Sequence, residues 1–154
     1  MAQTVNHDYT TIAKAAGMDA ESQASLDTVV AFMGAMGGGD MATLTALTVD
    51  DMVWANEDDK AMPWIGPWQG KEGILKFLGL FGENFQTTQW VNEDQFAFGD
   101  TVAIFGKMNG VTTKSGAEIG EFIFGLRAKV KDGKVVLWIW LEISYAVSKA
   151  FNAA

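Results

Sequence analysis

The chain predicts an α+β fold in which N-terminal helices pack inside a curved, mainly antiparallel sheet. Three observations carry that prediction. Apolar residues in the first half recur at helical spacing, those after residue 86 alternate, and no linker or internal repeat separates the halves. With 154 residues, 49% apolar and 19% charged, the chain suffices for one well-packed domain, placed at 21–154.

Residues 1–20 are weakly patterned and read as an extension carrying a short helix around Tyr9 to Ala16. From about Glu21, the positions Leu26, Val29, Val30, Met33 and Met36 follow helical spacing. Gly37-Gly38-Gly39 ends that helix, because glycine makes continuation costly and a turn easy. Asp40 then caps a short second helix with Leu44 and Leu47 inward, and Asp51 to Asn56 reads as a strand. The acidic triplet Glu57-Asp58-Asp59 is most simply a solvated turn, with metal binding the alternative. A turn-rich stretch from Met62 to Gly70 follows. Lys71 to Phe85 predicts a third helix burying Ile74, Leu75, Leu78 and Phe81. Strands are expected near 87–98, 101–111, 118–131 and 134–147. Turns at Phe98-Gly99-Asp100, Lys114-Ser115-Gly116 and Lys131-Asp132-Gly133 join them, and Asp-Gly in the last is a strong hairpin signal.

Composition removes several function classes. The formal net charge is −8 and Arg127 is the one arginine, which argues against nucleic-acid binding and against acidic membrane surfaces. Cysteine is absent, so disulfides and thiolate metal sites are excluded, and the single histidine, His7, cannot build a typical zinc site. No metal and no cofactor is indicated. No apolar run approaches the ~20 residues that span a bilayer. The first residues also lack the basic-then-apolar order of a secretory signal, so a cytoplasmic location is expected.

One residue stands out chemically. Glu142 interrupts the most apolar strand, Val135 to Ile143, and strand alternation places it on one face with Trp138 and Trp140. Leu137, Ile139 and Leu141 take the other face. A carboxyl enclosed beside two indoles, with no basic residue near in sequence, would have a raised pKa and could carry protons near neutrality. The alternative is a strand-end carboxylate that meets water or a lysine.

Taken in order, Gly39-Asp40 with Leu44 and Leu47, Asp50 to Trp54, Gly70 to Phe77, Gly99 to Val102 and Lys131 to Val135 resemble the SnoaL-like branch of the NTF2-like superfamily. The resemblance covers about residues 22–151, includes ketosteroid isomerase-related proteins, and implies a cone-shaped α+β barrel with a deep apolar pocket. It also implies a homodimer formed through the outer sheet face. Matched outward from Gly39-Asp40, the tyrosine of ketosteroid isomerase falls on Phe32 and its base on Asn56. Its second aspartate falls near Phe124 to Leu126, where no acid exists. Steroid isomerisation by that mechanism is therefore excluded. The Arg-x-Asp of limonene-epoxide-hydrolase relatives is missing too, since Ala103 to Gly110 offers Lys107 and Asn109. What survives is a carboxyl on the last long strand, where SnoaL-like cyclases carry an aspartate; here it is Glu142.

Strand parity places Trp54 and Asn56 towards the same interior as Glu142. Phe32, Phe122, Phe124, Trp138 and Trp140 are expected to wall a pocket, and Trp64 and Trp68 to form its rim. The plainer alternative for these rings is core packing. The expected function is acid/base chemistry, of isomerase, cyclase or lyase type, on a hydrophobic carbonyl-containing small molecule. Glu142 would move the proton while Asn56 supports the oxyanion. The rival is a non-catalytic module that binds a small ligand or only dimerises.

Overall fold

The computed structural model describes residues 6–8, 17–56 and 58–153. Helix α1 (Ala20–Gly38) begins at Asp19, whose carboxylate accepts from the Ser22 backbone N–H at 2.8 Å. It ends at Gly39, which adopts the left-handed conformation (φ 70°) that glycine reaches without strain. Leu26, Val29, Phe32 and Met33 on α1 are almost wholly buried. Asp40 caps α2 (Met41–Ala46) by accepting from Thr43 N–H at 3.0 Å, and Leu44 points inward.

Among the described residues, seven strands form one sheet. They are β1 (Asn6–Asp8), β2 (Thr48–Asn56), β3 (Gly66–Gln69), β4 (Phe85–Phe98), β5 (Thr101–Thr112), β6 (Phe122–Lys131) and β7 (Lys134–Glu142). Their order is β1-β4-β5-β6-β7-β2-β3. Neighbours are antiparallel except for β1 with β4 and β2 with β7. The sheet is thus mixed, and it curls around α1 without closing. Its curvature has a visible cause in the longest pair. Bulges at Thr87/Gln89 and Asn92/Asp94 in β4 lie against Gly110 and Gly106 of β5. A Cβ at Gly106 would stand 2.1 Å from the Val91 carbonyl oxygen, and one at Gly110 would stand 2.5 Å from the Phe85 ring. Only glycine admits so close an approach. The β6–β7 hairpin turns on Asp132 (φ 51°) and Gly133 (φ 70°), two left-handed residues in succession as a tight hairpin requires.

Three differences from the sequence reading bear on the site. The final alternating stretch, expected to run to 147, stops at Glu142, and α4 (Ser144–Phe151) follows. Val147, Ala150 and Phe151 are its buried positions, a helical and not an alternating spacing. The turn-rich stretch contains a strand, β3, which pairs with the end of β2 and leads into α3 (Gly70–Asn84). The segment read as an extension supplies β1 to the sheet edge; the helix expected over 9–16 lies outside the described residues.

Candidate active site

Between α1, α3, α4 and the concave sheet face lies a cavity of about 450 Å³, within the range of small-molecule sites. Strand β2 contributes Trp54 and Asn56, β6 contributes Phe122, and β7 contributes Trp140 and Glu142. Trp64 also lines it. Four others expected as walls or rim do not. Phe32 and Trp138 pack beneath, their rings 4.9 Å apart, and Trp138 stacks on Trp54 at 5.1 Å. Phe124 lies behind Trp140, ring on ring at 4.5 Å and 15°. Trp68 donates its indole N–H to the Trp64 carbonyl at 3.0 Å and so buttresses that residue from outside.

The parity inference for β7 is realised in the fold. Trp138 is fully buried, Trp140 and Glu142 face the same interior, and Leu141 on the other face is exposed. The parallel register then brings β2 alongside, with Trp54 opposite Trp138 and Asn56 opposite Trp140.

Around Glu142 there is one hydrogen-bond donor and a set of rings. Trp140 donates its indole N–H to Oε2 at 2.8 Å, and that indole is held by stacking on Phe124 and by a tilted contact with Trp90. None of the ion pairs among the described residues reaches Glu142. Withdrawal from water dominates its titration, and the charge of Asp58 acts in the same direction. Trp140 opposes both, and the pKa rises to about 7. The side chain is only half-buried because one flank borders the cavity.

Asn56 is buried, and its Oδ1 has no hydrogen-bond partner among the described residues. A side-chain amide can present either end after a half-turn. Asn56 can therefore receive a ligand's donor or donate to its oxygen. Among the described residues Glu142 is the one charged group in the lining, and no group of three metal-ligating side chains occurs.

Several lining residues escaped the sequence reading. Phe77, Phe81 and Phe85 stack in succession, at 5.6 and 4.7 Å, along the wall formed by α3. Their i, i+4 spacing was the available signal. Trp90, Met108 and Val147 complete the apolar surface, with Gln86 and Thr87 as further polar groups. The acidic turn also differs from expectation. Asp59 accepts from Ser148 Oγ at 2.6 Å and Asn152 Nδ2 at 3.0 Å, so the loop after β2 is tied to α4 instead of standing free in water. Those bonds hold the Asp59 carboxyl below its ordinary value, Ser148 contributing most.

The SnoaL-like domain model matches residues 29–138, and the chain belongs to that family. An NTF2-like protein from Burkholderia xenovorans LB400 superposes with a TM-score of 0.79 at 23% identity, covering 88% of this chain and 100% of that one. A candidate SnoaL-like polyketide cyclase from Jannaschia sp. CCS1 gives 0.77 at 16% identity, covering 91% and 99%. An LEH-like epoxide hydrolase from M. tuberculosis gives 0.67 at 19% identity, covering 87% and 89%. Comparison with curated proteins gives no significant match. The NTF2-like fold is thereby shared with cyclases, isomerases and epoxide hydrolases, and the fold alone does not select among them. No helix among the described residues is long and apolar enough to cross a membrane.

Proposed function

We propose that this protein is a cofactor-independent acid–base enzyme, of isomerase, cyclase or lyase type, acting on a hydrophobic carbonyl compound. One observation carries the reading: a carboxyl with no cation beside it among the described residues, its pKa raised by burial to about 7, borders an apolar cavity that also presents the Asn56 amide, whose Oδ1 has no partner among those residues. Glu142, when ionised, removes a proton from the carbon beside the carbonyl. The C–H electron pair moves into the new C=C bond, and negative charge gathers on the carbonyl oxygen. Asn56, turned to present its N–H, donates to that oxygen. Glu142 then returns the proton at the same or a conjugated position. The rings of Trp54, Phe77 and Trp140 favour a flat substrate and exclude water. With no lysine or arginine in the described lining, the substrate's buried part is uncharged.

The test is Glu142→Gln, which preserves shape and removes the titrating group. Turnover should fall by about 10²–10⁴-fold, and unchanged turnover would take Glu142 out of the mechanism. A second reading, a non-catalytic ligand-binding module, is favoured by the absence of the isomerase tyrosine at Phe32 and of its acids at Asn56 and near Phe124 to Leu126. Native mass spectrometry separates the two: a stoichiometric ligand recovered chemically unchanged supports binding only. For assembly we propose a homodimer through the outer sheet face. Exposed Phe105, Ile123 and Leu141 lie there on adjacent strands, and the Phe105 ring rests over Gly125.

A further inference from the structure

We infer that Asp58 is a positioning residue for this site, the second carboxyl of a pair with Glu142 that shares one proton. This role rests on the acid–base reading of Glu142 and adds the group that acts through it. The placement follows from chain geometry. Strands β2 and β7 run parallel with Asn56 opposite Trp140, and two residues further along each chain stand Asp58 and Glu142. Both carboxyls therefore leave the sheet at the same end.

The loop holding Asp58 is anchored there. Asp59 is bonded to Ser148 and Asn152 of α4's C-terminal end, while Asp58 Oδ1 accepts from the Asp59 backbone N–H at 2.6 Å. The other oxygen, Asp58 Oδ2, is buried and has no hydrogen-bond partner among the described residues. An acceptor withdrawn from water without a donor is costly. A neighbouring carboxyl that keeps its proton has an O–H to offer, directly or through one water.

Among the described residues, no second charged group joins Glu142 in lining the cavity. Phe124 of β6 pairs with Glu142 across the strands, Trp140 donates to it, and Trp54 and Asn56 of β2 and Val147 of α4 line the same cavity, all of them uncharged. Lys149 on α4 is exposed, as is Arg127 on the outer face of β6. Among the described residues, the charge felt at Glu142 is that of Asp58. When Glu142 releases its proton to substrate, its O–H bond breaks and the electron pair stays on the carboxylate. Two like charges then stand near each other, and their repulsion favours the proton's return.

The experiment is a ¹³C NMR titration of the side-chain carboxyl carbons in the wild type, Asp58→Asn and Asp58→Glu, each checked for folding by thermal melt. Asp58→Asn keeps the shape and removes the charge; the Glu142 midpoint should fall by about half a unit to one unit. Asp58→Glu should restore it. In the wild type, the Asp58 carbon should show a second inflection at the Glu142 midpoint, a readout that requires no variant to fold. A Glu142 midpoint unmoved in Asp58→Asn, or an Asp58 signal blind to Glu142, overturns the pair while leaving Glu142 as a lone base. Loss of turnover in Glu142→Gln is read separately, so failure of the pair and failure of the base are distinguishable.

Discussion

Glu142 and Asp59 are carboxyls at the ends of neighbouring parallel strands, and their surroundings give them opposite characters. Asp59 collects donors: the Ser148 hydroxyl, the Asn152 amide and the Ala61 backbone N–H. Its charge is stabilised and its pKa lowered. Glu142 has one donor, the Trp140 indole, against a wall of rings and the charge of Asp58; its pKa rises to about 7. The number of donors weighed against the loss of water decides which acid fastens a loop and which can pass protons. One end of the sheet thus carries a loop anchor beside the proposed proton carrier.

The comparison breaks first at its chemical consequence, the loss of about 10²–10⁴-fold in turnover expected of Glu142→Gln. The same variant sharpens it through stability. Because the folded-state pKa is raised, Glu142 holds its proton more tightly folded than unfolded, so ionising it costs stability. That cost grows as pH climbs from the ordinary carboxyl value of 4.5 to about 7 and is complete above it. Glu142→Gln should therefore be more stable than wild type above neutrality, by about 1–2 kcal/mol after allowance for screening through the open flank. Equal denaturant midpoints at alkaline pH would refute the desolvation. A smaller effect is expected from Trp140→Phe, which keeps a ring and removes the one donor. The Glu142 midpoint should rise, read from the pH dependence of turnover or directly by NMR. The smallest concerns the anchor. Ser148→Ala should lower the melting temperature slightly at neutral pH. This loss should vanish as acid protonates Asp59, since a lowered carboxyl pKa stabilises only above it. Melting curves at two pH values check this.

Much of the fold was legible. Two-residue periodicity put Trp138, Trp140 and Glu142 on one face of β7, and glycine chemistry marked the ends at Gly39 and Asp132-Gly133. What escaped depended on contacts distant in sequence. The pairing of β2 with β7 is parallel and joins residues more than eighty positions apart, so the meeting of Asn56 and Glu142 was a parity inference until the register was seen. Helix α4 was hidden because Ile143, Tyr145 and Val147 extend the alternation of β7 without a helix-breaking residue between them. Asp59 looked like a solvent-facing turn residue because its partners, Ser148 and Asn152, lie roughly ninety positions away.

The most direct test is the protonation midpoint of the Glu142 carboxyl carbon in the unmodified protein, followed by NMR. The account predicts about 7. A midpoint in the ordinary range near 4.5 would show a carboxylate in easy contact with water, and the proposed proton carrier would be contradicted.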